Sequence, residues 1–273
     1  NAAAASNVAQ FFGLRGAVLS NGNSCAAGAI AIGEAARIIE RGEADVMVAG
    51  GSEAPLAPLT FGAFTLVRAM STRNDDPARA CRPFDGGRDG FVMGEGAALL
   101  ILESLSHARS RGARVYAEIA GFATSNDAYH MTEPRPGGTE SARAICEALR
   151  GAGLRPRDVD YVNAHASSTR LNDSTEAQAL HLALGDHATR VPVSGTKPFT
   201  GHALGATGAI EAALCLMAIE REALPPTINL ERQDPEIDLA LFTRPLRRRV
   251  DVVLSNSFGF GGSNAALVFR RHA

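Results

Sequence analysis

Gly28-Ala29-Ile30, followed by Glu40-Arg41, returns 180 residues later as Gly208-Ala209-Ile210, followed by Glu220-Arg221. Both stretches carry apolar residues at helical spacing after a loop, so the chain reads as two related halves. A second correspondence agrees with the first. Gly96-Ala97-Ala98-Leu99-Leu100-Ile101 matches Asn264-Ala265-Ala266-Leu267-Val268-Phe269, in each case an apolar strand after a glycine-rich turn. Duplicated halves predict a pseudosymmetric fold that brings the loops before the two helices face to face. Those loops hold Cys25 in the first half and Lys197 with His202 in the second.

Outward from the repeat, apolar runs predict strands over 16–20, 115–122, 159–163, 191–194, 241–243, 250–255 and 265–269. Helical spacing predicts helices over 26–41, 140–150, 173–184 and 206–222, the last stopped by Pro225-Pro226. Alternating strands and helices mean a layered α/β core. The division falls near Gly112, giving halves 1–112 and 113–273.

Of the 273 residues 45% are hydrophobic and the net charge is -2, which describes an ordinary globular chain and not a nucleic-acid protein. No apolar stretch reaches the length of a membrane span and no secretory leader opens the sequence, so a cytoplasmic protein is expected. Four widely spaced cysteines suggest neither a zinc site nor a disulfide framework. Cys146 and Cys215, in alanine-rich helical segments, read as small core residues. Cys25 reads differently, because it lies at a strand-to-helix turn, where unpaired N–H groups and the helix dipole favour a thiolate and predict a lowered pKa.

Lys197 is the only lysine among 27 basic side chains. A chain that elsewhere uses arginine has kept one compact, tunable ammonium here, five residues before His202. His165 follows the strand at 159–163, at an exit where catalytic groups are commonly presented. Near the C-terminus Phe258-Gly259-Phe260-Gly261-Gly262 sets two aromatic rings on a flexible glycine loop, as core plugs or as a gate over a pocket.

Read together, Asn23-Ser24-Cys25-Ala26-Ala27-Gly28, Arg82-Pro83-Phe84-Asp85 with Asp89-Gly90-Phe91-Val92-Met93-Gly94-Glu95-Gly96, Asn163-Ala164-His165, Thr196-Lys197 with Thr200-Gly201-His202, and Asn256-Ser257-Phe258-Gly259-Phe260-Gly261-Gly262 resemble a β-ketoacyl-acyl carrier protein synthase of the elongating type, or the similar ketosynthase of type II polyketide systems. The resemblance implies a thiolase-like duplicated fold, layered α/β/α/β/α with mixed sheets. It implies Cys25 as the acyl-accepting nucleophile, His165 and His202 as the paired histidines, Lys197 as their polar organiser, backbone N–H groups of Cys25 and Phe260 as an oxyanion hole, and Phe258 with Phe260 as a gate. A monovalent cation among Asn163, Glu176, Glu211, Ser255 and Asn256 is a further implication. The activity implied is decarboxylative Claisen condensation of an acyl thioester with malonyl-acyl carrier protein in fatty-acid elongation, with polyketide chain building as the alternative.

No cofactor is expected. The implied partners are an acyl carrier protein, met by Arg68, Arg73 or Arg79, and malonyl and acyl thioesters. A second copy is expected across a two-fold axis, or a different subunit if the protein is of the polyketide type. Ala166 stands where relatives usually carry glycine. The elements that open the family fold are absent, so the N-terminal portion is read as missing and a non-catalytic interaction fragment stays open as an alternative. A thiolase would need a second cysteine in the C-terminal glycine-rich motif, which holds none.

Overall fold

Gly28, Ile32, Ala35 and Ile38 recur at steps of three and four and are all buried, which is the single apolar stripe a helix needs to pack on one side. In the computed structural model, which describes residues 2–272, that stretch is the second helix. In chain order the elements are α1 (Ala3–Phe12), α2 (Ala27–Glu40), β1 (Val46–Glu53), α3 (Pro58–Val67), β2 (Gly96–Glu103), α4 (Leu105–Ser110), β3 (Glu118–Asn126), α5 (Thr139–Gly151) and β4 (Tyr161–Asn163). They continue as α6 (Arg170–Leu184), β5 (Pro192–Ser194), α7 (Lys197–Thr200), α8 (Thr207–Arg221), β6 (Ala223–Leu224), β7 (Ala240–Leu241), β8 (Leu246–Arg247), β9 (Val252–Gly259) and β10 (Ser263–Arg270).

A six-stranded mixed sheet in the order β3-β10-β9-β4-β5-β7 is covered by α5 and α6 on one face and by α2 and α8 on the other. The same two central helices carry the antiparallel pair β1-β2 on their far side. The layers thus run α, β, α, β in the thiolase-like manner. Among the described residues the outer face of β2 is bare, with Leu99 and Ile101 55% and 61% exposed. None of the helices described is long and apolar enough to cross a membrane.

The repeat is visible in the backbone. Ser24–Ala26 and Leu204–Ala206 are both 3-10 turns leading into α2 and α8, and Ser24 and Leu204 share an unusual left-handed φ of 49° and 43°. Gly28 and Gly208 explain why the helices can cross there. A Cβ on Gly28 would stand 2.9 Å from the Ala209 nitrogen, and one on Gly208 2.8 Å from the Ala29 nitrogen, so only glycine at both positions permits the crossing. After each helix comes an antiparallel pair, β1-β2 in the first half and β9-β10 in the second.

One predicted strand does not form. Residues 16–20 find no strand partner among the described residues, and Val18 and Leu19 stand 43% and 67% exposed. An apolar run becomes a strand only where a neighbour takes its backbone hydrogen bonds. Cys146 also departs from expectation, lying exposed on α5, whereas Cys215 is buried on α8. The apolar stripe of α5 falls at Ala142, Ala144, Ile145, Ala148 and Leu149, which turns position 146 outward.

Candidate active site

Cys25 occupies the middle of the turn before α2 and lines a cavity of about 340 Å³ with His165, His202, Phe258 and Phe260. The end of β9 passes directly against this turn, since a Cβ on Gly259 would lie 2.9 Å from the Cys25 nitrogen. The backbone N–H groups of Phe260 and of Cys25 itself favour the thiolate form of this sulfur. The lowered thiol pKa read from the helix start is corrected here. Burial pushes the Cys25 thiol up to about 11, against the pull of Lys197 and of those two N–H groups. The resting nucleophile is therefore a thiol at neutral pH.

His165 leaves β4 on a loop whose backbone is tied down by buried carboxylates. Glu176 accepts from the N–H groups of His165 (2.8 Å) and Ala166 (2.7 Å), and Asp173 from those of Ser168 (3.1 Å) and Phe84 (2.8 Å). Asp173 in turn lies 3.6 Å from Arg88, which donates to Asp234 at 2.6 Å. This is the work of the Arg82-to-Gly96 motif: it bolts the first half onto the histidine loop of the second. The same motif holds the other histidine. His202 N–H donates to the Val92 carbonyl at 2.7 Å and its own carbonyl accepts from Gly94 N–H at 3.0 Å.

The two rings stand 5.4 Å apart, centroid to centroid, nearly perpendicular. Burial first, then the charge of Lys197, holds both imidazoles well below their ordinary pKa, so both are neutral. Each has its Nδ1 engaged away from the cavity. Lys197 Nζ lies 3.4 Å from His165 Nδ1, and Thr207 Oγ1 lies 2.9 Å from His202 Nδ1. An ammonium only donates, so His165 Nδ1 is an acceptor and its proton sits on Nε2.

Lys197 is fully buried and donates as well to the His165 carbonyl and, at 2.8 Å, to Glu211 Oε1. Burial raises the Glu211 carboxyl to about 7, with Lys197 pulling the other way. The five residues read as a cation site divide across the sheet. Ser255 and Asn256 are strand neighbours and point to opposite faces. Asn256 donates to Glu176 on the α6 side at 3.2 Å, and Glu176 already serves the histidine loop. Asn163, in register with Ser255, shares the α8 face with Glu211. There Asn163 Oδ1, Ser255 Oγ and Glu211 Oε2 are buried with no hydrogen-bond partner among the described residues. Asn256 Oδ1 is likewise buried without a partner, but it lies with Glu176 on the opposite face of the sheet.

Phe258 packs 5.9 Å from the His165 ring, and Phe260 stacks on Phe64 at 6.4 Å. Gly261, at φ 78°, donates its N–H to the Met131 carbonyl at 2.7 Å, so the glycine loop leans on the segment after β3. Of the three arginines considered for a carrier protein, Arg68 lines the cavity, Arg73 donates to the Gly87 carbonyl, and Arg79 pairs with Glu231 and Asp76.

Ala166 sits at φ 45°, in the region that favours glycine. A Cβ on Gly195 would come within 2.4 Å of the Ala166 Cβ, so the methyl at 166 fills the room that a side chain at 195 would need. Gly195→Ala is expected to destabilise the protein by about 1–3 kcal/mol, and Ala166→Gly to restore most of that loss by freeing both space and φ. Denaturation midpoints of the two single variants and the double variant check this; simple additivity would show that the two positions do not share the space.

The beta-ketoacyl synthase N-terminal domain profile matches residues 1–108 and the C-terminal domain profile residues 116–231. A 3-oxoacyl-[acyl-carrier-protein] synthase 2 of Synechocystis is 52% identical over 250 residues, covering 91% of this chain and 60% of that protein. The enzyme of the same name from Coxiella burnetii is 49% identical over 261 residues, covering 95% and 63%. The chain thus spans about three fifths of the length of these curated relatives. Among solved structures, a type II polyketide ketosynthase in complex with its acyl-carrier protein superposes with a TM-score of 0.98 at 42% identity, covering all of this chain and 67% of that one. A beta-ketoacyl synthase from Burkholderia phymatum gives 0.95 at 41%, again over all of this chain and 66% of that one. With both domain profiles matched and relatives about half identical along nearly the whole chain, the chain belongs to the beta-ketoacyl synthase family.

Proposed function

We propose that this chain carries the condensing centre of a 3-oxoacyl-acyl carrier protein synthase acting in fatty-acid elongation. One observation carries the reading: a buried thiol flanked by two backbone N–H groups shares its cavity with two neutral imidazoles whose Nδ1 atoms are both engaged elsewhere. Cys25 Sγ attacks the carbonyl of an acyl thioester; a new C–S bond forms, the old one breaks, and the cysteine proton ends on the departing carrier thiol. The N–H groups of Cys25 and Phe260 hold the oxyanion of that step, each contributing about 3–4 kcal/mol. A malonyl thioester then loses CO2, and the electron pair of the broken C–C bond becomes an enolate whose oxygen takes the two Nε2–H donors. The enolate carbon attacks acyl-Cys25, a C–C bond forms, the C–S bond to Cys25 breaks, and the released sulfur takes its proton from solvent. The sequence is redox-neutral.

The acyl carrier protein enters at the cavity mouth beside Arg68, and Phe258 and Phe260 gate the acyl-cysteine. Asn163, Ser255 and Glu211 would hold a monovalent cation, supplying charge balance behind the lysine. The chain is taken as halves 1–112 and 113–273, working in the cytoplasm as a two-fold dimer. A second reading, the ketosynthase subunit of a type II polyketide system within a heterodimer, is favoured by the 0.98 superposition on such a subunit. Solved complexes of ketosynthases with a chain length factor are also among the structures it matches.

Incubation with acyl carrier protein thioesters should place the acyl group on the peptide containing Cys25, by mass spectrometry, and added malonyl thioester should release CO2 and a 3-oxoacyl product. Acylation of Cys81, Cys146 or Cys215 with Cys25 unmodified would overturn the assignment.

A further inference from the structure

Thr207 opens α8, and by position alone it is a helix-start residue. Its hydroxyl does something else. Thr207 and His202 are 2% and 3% exposed, and Oγ1 stands 2.9 Å from His202 Nδ1. A neutral imidazole has one N–H, and the partner of Nδ1 decides which nitrogen carries it. Were Nδ1–H donating to the hydroxyl, the hydroxyl's own proton would need another acceptor. Among the described residues its only partner is Nδ1. The hydroxyl therefore donates, Nδ1 accepts, and the ring proton sits on Nε2, facing the cavity.

We infer that Thr207 is a positioning residue that fixes the tautomer of His202, as Lys197 fixes that of His165. Two different side chains thus give both rings the same donor polarity toward one oxygen. The inference rests on the proposed condensing activity for its consequence, though not for its geometry. Turned into the other tautomer, His202 would present a lone pair to a developing oxyanion, and the site would lose one of two donors. The cost of one such donor is about 10²–10³ in rate. Partial population of the correct tautomer brings the expected loss in Thr207→Val to about 10–100-fold.

Two measurements test it. In the protein labelled with ¹⁵N-histidine, the His202 shifts should report Nε2–H in the wild type, and Nδ1–H in a substantial fraction of Thr207→Val. Malonyl-thioester decarboxylation should fall about 10–100-fold in Thr207→Val and stay within about threefold in Thr207→Ser, which keeps the hydroxyl. A wild-type His202 protonated on Nδ1 would overturn the inference, and so would a Thr207→Ser variant as impaired as Thr207→Val. A wild-type protein that shows Nε2–H yet never decarboxylates a malonyl thioester would instead sink the proposed function and leave the tautomer assignment standing. The wild-type spectrum decides even if the valine variant does not fold.

Discussion

Cys25→Ala is expected to abolish condensation, by about a thousandfold or more, while leaving malonyl-thioester decarboxylation within a few-fold of the parent. The two half-reactions use different atoms. On the proposed reading, acyl transfer needs the sulfur and the N–H groups of Cys25 and Phe260, whereas loss of CO2 needs only donors to the enolate oxygen, which the imidazoles lining the same cavity supply. The converse follows. His165→Ala and His202→Ala should each cut decarboxylation about 10²–10³-fold and still let Cys25 take up an acyl group. Because burial pushes the Cys25 thiol up to about 11, acylation of the parent protein should keep rising with pH above neutrality. Assaying released CO2 and acyl-enzyme separately checks the split. If Cys25→Ala stopped both half-reactions equally, the sulfur would have to take part in decarboxylation, and the division of labour would be wrong.

Much of this centre was legible because its residues sit at places that a one-dimensional pattern marks. Cys25 opens a helix, His165 ends a strand, and Lys197 stands alone in composition. The duplicated Gly28 and Gly208 turned out to be the contact between the two central helices, so the repeat carried real spatial information. What stayed hidden depends on contacts between distant segments. Glu211 looked like a cation ligand, and nothing in the spacing of 197 and 211 says that an ammonium reaches it across a turn and a helix. Glu176 and Asn256 looked like part of the same site, yet strand alternation sends Asn256 to the opposite face. Thr207 gave no signal of its own in the sequence, since a threonine at a helix start suggests capping before it suggests a histidine five residues back. The strand expected at 16–20 failed for the same reason in reverse: propensity was present, and no described residue pairs with it.

Lys197→Met should be the most damaging substitution for stability, and the lysine's surroundings say why the chain has kept it. The three ammonium protons have three acceptors: Glu211 Oε1, the His165 carbonyl and His165 Nδ1. Both members of the ion pair are almost wholly buried, at 0% and 2% side-chain exposure. Removing the cation alone strands a carboxylate, and such losses cost about 3–5 kcal/mol, or a drop in melting temperature of about 10 °C. Arginine is no substitute, because its planar fork needs a wider slot and cannot gather three protons at one point; Lys197→Arg should be damaged as well. Replacing both members, Lys197→Met with Glu211→Met, removes the charge that was stranded and should recover most of the stability. It should not recover decarboxylation, because His165 Nδ1 has lost its donor and the ring is free to take the wrong tautomer. Thermal melts and CO2 release on the single and double variants therefore separate two roles of one side chain. A double variant that regained both stability and decarboxylation would show the lysine to be needed for the ion pair alone, with the orientation of His165 set by something else.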